Sequence, residues 1–170
     1  MNTLTRHRVK FLQFLYEAAA ERRYIGIRND EKRSFVGVQD VTQIIITAIN
    51  KLGEGGSGSG LFNKVYNVGG PEGLSRLNLA EIVARSLSLE LIVESGYIES
   101  SGSVTSATTN DHRSTYSKSM WGVYMQSSQE SSTDVPTPRD VTMDITATEL
   151  AFGISFNPMS EVVPKLLHKY

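Results

Sequence analysis

The spacing of apolar residues along the chain predicts three amphipathic helices. Between residues 5 and 23 they recur at helical intervals. From residue 41 to residue 52 they fall at i, i+3, i+4, i+7, i+8 and i+11, the clearest pattern in the chain. The third helix covers about 75–87. Asp40 and Ser75 are interpreted as N-caps of the last two, because short polar side chains accept hydrogen bonds from the first helical N–H groups.

Short β-prone runs alternate with these helices and predict a parallel α/β layer. Residues 99–137 are rich in Ser and Thr and lose periodicity, which is typical of a loop or of disorder. We therefore expect an α/β half-domain over 1–98, a disordered insertion over 99–137, and helices of a C-terminal lobe over 138–170. Trp121, Val123, Tyr124 and Met125 interrupt the insertion, and the alternative for this part is that it folds back onto the body. The predicted strands are 24–27, 34–38, 64–68, 89–93 and 141–144.

Composition narrows the classes of protein. The chain has no cysteine, which excludes disulfides and thiolate metal sites. Its net charge of −1 argues against a nucleic-acid-binding protein, which usually carries a basic face. No apolar run approaches the roughly 20 residues of a membrane helix. We expect a cytoplasmic protein without nucleic-acid or membrane partners.

Three segments together resemble one family. They read RSFVGVQDV at 33–41, VYNVGGPEGLSRLNLA at 65–80, and PRDVTMD at 138–144 followed by AFGI. Their order and spacing are similar to the C-terminal, substrate-side half of extended short-chain dehydrogenases/reductases of the dTDP-4-dehydrorhamnose reductase type. The resemblance implies part of an NAD(P)-binding Rossmann-type fold, with a truncated parallel sheet and a helical substrate lobe.

The same resemblance implies chemistry that this chain lacks. Family members use NADPH or NADH and a Tyr-x-x-x-Lys pair, in which the tyrosine protonates the sugar carbonyl oxygen as hydride arrives. Here Tyr16, Tyr66 and Tyr116 have no lysine four residues later. We assign no catalytic, cofactor-binding or metal-binding residue in this chain.

A glycine pattern, G-x-G-x-x-G, does occur at Gly53, Gly55 and Gly58. It follows a predicted helix and precedes a predicted strand, the reverse of the context that places a pyrophosphate at a helix N-terminus. We interpret it as a linker.

Two arginines are the candidate substrate-binding residues. In related enzymes, an arginine matching Arg33 contacts the diphosphate of the nucleotide sugar, for which a forked guanidinium is well suited. Arg139 lies where many relatives carry a second such arginine. The alternative for Arg33 is a surface ion pair with Asp30 or Glu31. Asn67, Gly69 and Gly70 are interpreted as architecture, the glycines for backbone angles closed to other residues.

Three functions stay open at this point. The chain is an inactive substrate-side fragment of a sugar-nucleotide reductase or epimerase, a non-catalytic subunit resembling the regulatory β subunit of methionine adenosyltransferase, or one half of an enzyme completed by a separate cofactor half. Without that half, apolar faces of 9–19 and 41–52 would be exposed, which predicts self-association. Separate sheets for the first two β segments, or a complete nicotinamide cleft in this chain, would contradict the fragment interpretation.

Overall fold

The computed structural model of the protein describes residues 10–28, 31–53, 64–98, 104–106, 119–126 and 138–168. Within these ranges the protein is mixed α/β, with two separate β-sheets. In chain order the elements are α1 (Phe11–Ala20), β1 (Ile25–Arg28), β2 (Lys32–Ser34), α2 (Val38–Gly53), β3 (Gly73–Leu74), α3 (Arg76–Ser86), β4 (Glu90–Ile98), β5 (Val104–Ser106), β6 (Met120–Gln126), β7 (Asp140–Val141), α4 (Thr146–Phe152) and α5 (Met159–Leu167).

The chain divides into two compact units. Unit 1 consists of 1–29 and 76–133, and unit 2 consists of 30–75 and 134–170. Each unit therefore combines two stretches that are distant in sequence. The three-part division expected from composition, at 98 and 137, stays a prediction.

Unit 1 contains a four-stranded sheet in the order β1-β6-β4-β5. The central strand β6 is parallel to both β1 and β4, and β5 pairs antiparallel with β4 at one edge. Helices α1 and α3 contact each other, and both bury small alanines that permit close packing. Trp121 of β6 is fully buried, and its indole N–H donates to the carbonyl of Arg23 at 3.0 Å.

Helices α1 and α3 of unit 1 end in the same way. Arg22 and Ser88 both adopt the left-handed conformation with φ of 55°. The next N–H group, of Arg23 or Leu89, donates to a carbonyl of the last helical turn at 2.8 Å. This arrangement is a Schellman motif, which satisfies carbonyls at the helix end. It turns the chain from each helix directly into β1 or β4.

Unit 2 contains a three-stranded sheet with β2 in the middle. β3 pairs antiparallel with β2, and β7 pairs parallel with it. The adjoining core brings α2 against α4, and the rings of Tyr66 and Phe152 meet edge to face at 5.0 Å between centroids. The residues buried in this core are Ile44, Ile145, Phe152 and Phe156, with Val36, Ala48, Tyr66, Val68, Ala151 and Ile154 partly buried around them.

The predicted strands 34–38 and 89–93 do not share one parallel layer, because β2 and β4 lie in different sheets. The predicted strand 64–68 is also absent from the structure. Its side chains Tyr66 and Val68 alternate towards the core as in a strand, but Asn67 is held by side-chain contacts and pairs with no strand.

Residues 120–126 are ordered, at the place where Trp121, Val123, Tyr124 and Met125 interrupt the Ser/Thr-rich segment. These residues form β6, the second strand of the unit 1 sheet, with Trp121 and Val123 buried. The segment forms a strand because aromatic and β-branched residues, which favour strands, are concentrated in it. The high Ser/Thr content of the surrounding sequence does not prevent this. The rest of the insertion, apart from 104–106 and Ser119, lies outside the described residues.

Gly122 allows a close contact in unit 1 that we expect to be sensitive to substitution. A Cβ at this position would overlap the ring of Tyr24. Gly122→Ala should lower the free energy of unfolding by about 1–3 kcal/mol, the usual cost of overpacking. Denaturant unfolding followed by the fluorescence of Trp121 measures this change. In a Tyr24→Ala background the same substitution should cost much less, and an equal cost in both backgrounds would refute the contact.

Candidate functional site

The sheet of unit 2 brings the two candidate arginines close together in the backbone. Arg33 lies in β2, opposite Val141 of β7, and Arg139 directly precedes β7. The N–H of Lys32 donates to the carbonyl of Arg139 at 2.8 Å. Two basic residues that are far apart in sequence thus lie on neighbouring segments of unit 2.

Arg33 is engaged in an ion pair. Its Nη2 atom lies 2.6 Å from Oε1 of Glu31, and its side chain is 54% exposed. This pairing is the surface alternative raised by the sequence. An exposed pair of this kind contributes about 0–1 kcal/mol to stability. The free energy lost by breaking this ion pair is therefore small. A diphosphate, which could accept two hydrogen bonds from the guanidinium, could replace Glu31 at little cost.

Lys32 and Asp140 occupy the opposite face of the same strand pair. They are register partners, and both are exposed. Hydrogen bonds from Thr142 hold the pKa of Asp140 below its ordinary value of 3.8, with a smaller contribution from the positive charge of Lys32. The sequence places Lys32 in a mildly basic cluster that is diluted by acidic residues, which predicts a solvated surface, and its side chain is exposed.

Asp40 is not an N-cap, because α2 begins at Val38 and includes it. Its buried carboxylate accepts hydrogen bonds from the backbone N–H of Asn157 at 3.1 Å and from the Asn157 side-chain amide at 2.5 Å. Asp40 therefore ties α2 to the segment before α5. Its role is structural, as expected, but by a different contact.

The loop 64–70 is fixed by close contacts. Asn67 donates from its side-chain amide to the carbonyl of Asp144 at 3.1 Å, and its own carbonyl accepts from the Thr148 hydroxyl at 2.6 Å. A Cβ at Gly70 would overlap the carbonyl of Phe35, and one at Gly69 would lie 2.8 Å from Ser34 Cβ.

The architectural role predicted for these glycines is thus supported, but the reason given for it is wrong. Neither Gly69 nor Gly70 has a positive φ. They are needed because the backbone of β2 and the residues just after it lie against the loop. Sequence alone reveals that a position favours glycine without revealing whether backbone angle or space is the cause.

The described part of the chain offers no candidate metal-binding cluster. Within the described ranges, no three His, Asp or Glu side chains are close enough together to hold a metal ion. Tyr66 packs into the core of unit 2 against Phe152. Of the G-x-G-x-x-G pattern, Gly53 is the last residue of α2, and Gly55 and Gly58 lie outside the described residues. No helix in the described part is both long and apolar enough to cross a membrane.

Comparisons with protein-family models and with curated protein sequences match nothing to this chain.

Asp144 lies just before α4 and contacts its first residue. Its carboxylate accepts from the N–H of Thr146, the first helical residue, at 2.9 Å. Hydrogen bonds with Thr146 lower the pKa of Asp144 from its ordinary value of 3.8. The bond to the Thr146 backbone has the larger effect, and the bond to its side chain the smaller. A lowered pKa in the folded state adds stability above the unfolded-state pKa, and this stability is lost as the pH falls through the folded-state value.

Asp144→Asn should therefore reduce the acid sensitivity of unit 2. Asparagine retains an oxygen acceptor for Thr146 but does not titrate. The wild-type protein should exceed the variant in free energy of unfolding at neutral pH, and this difference should shrink below about pH 4. Urea unfolding followed by circular dichroism between pH 7 and 2 measures it. A difference that stays constant across this range would contradict the role of the charge.

Proposed function

We propose that the protein binds a nucleotide sugar through Arg33 and Arg139, and that it corresponds to the substrate side of a dTDP-4-dehydrorhamnose reductase-type enzyme. The observation that carries the proposal is the parallel pairing of β2 with β7, which sets Arg33 of β2 beside the segment in which Arg139 precedes β7. Two guanidinium groups on neighbouring segments match the spread of charge on a diphosphate.

The arrangement of the resembling segments supports this proposal. The segment 33–41 supplies β2 and the start of α2, 65–80 supplies the loop and β3, and 138–144 supplies β7. β2 pairs with both of the other strands, so all three segments meet in the same small sheet. Segments that resembled one family in sequence are thus also packed together.

Because the two sheets are separate, the proposal gives each unit its own role. Unit 2 is proposed as the substrate lobe, and the parallel strands β1, β6 and β4 of unit 1 are proposed as a Rossmann-type layer. The single sheet first expected over 1–98 forms no part of it. The finer assignment, to the extended short-chain dehydrogenase/reductase fold, rests on the resemblance and on the parallel pairing in unit 1.

Reduction of a keto sugar needs a hydride donor and a proton donor near the carbonyl. The sequence contains neither a Tyr-x-x-x-Lys pair nor a G-x-G-x-x-G pattern placed between a strand and a helix. The proposed role is therefore to bind and orient the nucleotide sugar, while NADPH or NADH and the tyrosine acid are supplied by another component. The chain alone should not oxidise NADPH in the presence of a 4-keto sugar nucleotide, and robust oxidation would refute this part.

Binding of thymidine diphosphate, measured by isothermal titration calorimetry, tests the arginine site. We expect the diphosphate to bind more tightly than thymidine. Arg33→Ala and Arg139→Ala should each weaken diphosphate binding about tenfold or more, which corresponds to a charge-assisted hydrogen bond worth about 1.4 kcal/mol or more. Arg33→Lys should fall between, because it retains the charge but loses the forked geometry.

Lys165→Ala is the matched control, since Lys165 is an exposed cation of unit 2 on α5. It should bind the diphosphate as the wild-type protein does. If Lys165→Ala weakens diphosphate binding as much as the arginine variants do, the loss of affinity reflects only the change in net charge. Unchanged binding in both arginine variants would refute the site. Thermal unfolding of every variant verifies that the loss of binding is not a loss of fold.

A further inference from the structure

An acidic residue lies beside both arginines of the proposed site. Glu31 directly precedes β2 (Lys32–Ser34), and its Oε1 atom lies 2.6 Å from Nη2 of Arg33. The N–H of Lys32 donates to the carbonyl of Arg139 at 2.8 Å, so the backbone of Glu31 adjoins the segment that carries the second arginine. Glu31 is therefore close to both candidate binding residues along the backbone and in direct contact with one of them.

The carboxylate of Glu31 is the less exposed member of its ion pair. Its side chain is 23% exposed, against 54% for Arg33. The two residues are separated by a single residue of chain, so the carboxylate is always within reach of the guanidinium. A tethered partner of this kind competes with free ligands at an effective concentration of about millimolar. In the absence of a ligand, Glu31 therefore partly neutralises the charge of Arg33.

Asp140, the other acidic residue next to the two arginines, is bound elsewhere. Its Oδ1 atom accepts from the backbone N–H of Thr142 at 3.0 Å, and its carboxylate also accepts from the Thr142 side chain. Among the described residues, no acidic side chain forms an ion pair with Arg139. The two arginines thus differ, because Arg33 has an acidic partner in the described part of the chain and Arg139 has none there.

The charge of Glu31 opposes the binding of an anion at Arg33. Residues 31–33 and 139–140 carry three cations and two carboxylates, which gives a local net charge of +1. A diphosphate that binds Arg33 must either displace the carboxylate of Glu31 or lie beside it. Displacement loses the ion pair, and a position beside the carboxylate brings like charges together. Both arrangements make the affinity lower than it would be without Glu31.

We propose that Glu31 is an autoinhibitory counter-ion of the arginine site, which holds Arg33 in the empty protein and is displaced when a diphosphate binds Arg33 and Arg139 together. This role rests on the proposed nucleotide-sugar site and adds a means of regulating it. A monoanion offers Arg33 only what Glu31 already provides, a single negative group. A diphosphate has a second phosphate for Arg139, and this further contact offsets the loss of the Glu31–Arg33 pair.

Isothermal titration calorimetry of Glu31→Gln with thymidine diphosphate tests this role. Glutamine keeps the size of the side chain and removes its charge, so Arg33 no longer has an ionic competitor for the ligand. We expect the diphosphate to bind about two- to fivefold more tightly than to the wild-type protein, the range that corresponds to the loss of an exposed ion pair. Glu161→Gln is the matched control, since Glu161 pairs with Lys165 on the exposed surface of α5. It removes the same charge and should leave the affinity unchanged.

A double variant shows whether Glu31 acts through Arg33. In salt of about 0.3 M the Debye length is below about 8 Å, so direct repulsion between Glu31 and the ligand is largely screened. Under this condition Glu31→Gln should strengthen diphosphate binding in the wild-type background and have little effect in the Arg33→Ala background. Equal strengthening in both backgrounds would overturn the proposal, because Glu31 would then act on the ligand directly. Thermal unfolding establishes that each variant is folded.

Binding by the wild-type protein and by the arginine variants decides separately whether the site itself exists. If the wild-type protein does not bind thymidine diphosphate, or if Arg33→Ala and Arg139→Ala bind it unchanged, the nucleotide-sugar site is refuted and the role of Glu31 is refuted with it. If the arginine variants weaken binding while Glu31→Gln leaves it unchanged, the site is supported and the inhibitory role is overturned. Weaker binding by Glu31→Gln would also overturn that role, because Glu31 would then position Arg33 for the ligand.

Discussion

The pairing of β2 on both of its edges is the constraint on which unit 2 depends. β3 lies on one edge and β7 on the other, and their partners in β2 are separated from them by long stretches of chain. Because each strand is only two or three residues long, the ladder alone provides few hydrogen bonds. Side-chain contacts supplement it: the Ser34 hydroxyl accepts from the N–H of Met143 at 3.0 Å, and Asn67 links the loop to both Asp144 and Thr148. The position of both candidate arginines follows from this sheet.

The helices could be predicted well from sequence, and the strands less well. A helix of ten residues or more repeats its apolar spacing several times, so the period in α2 and α3 was clear. A strand of two or three residues has no measurable period. The loop 64–70 shows a second limit, since Tyr66 and Val68 alternate inward as in a strand while the backbone of Asn67 bonds to a side chain. Alternating burial records which side chains face a core, but not whether a neighbouring strand exists.

The candidate site shows the same division between local and long-range information. Arg33 and Arg139 could be named from local sequence, but their adjacency depends on a parallel pairing between distant segments. The bond between Asp40 and Asn157 likewise spans most of unit 2. A short aspartate near a helix start was reasonably interpreted as a cap, because the local sequence contained no sign of its distant partner. The division of the chain into two units, each made of two stretches, likewise depends on contacts between residues that are far apart in sequence.

The central proposal is that a diphosphate binds at Arg33 of β2 and at Arg139, just before β7. The most direct measurement is the change of backbone amide chemical shifts in the ¹⁵N-labelled chain as thymidine diphosphate is added. The account predicts saturable changes concentrated at residues 31–34 and 138–141, with α5 little affected. Saturable changes located elsewhere, or none at millimolar ligand, would contradict it.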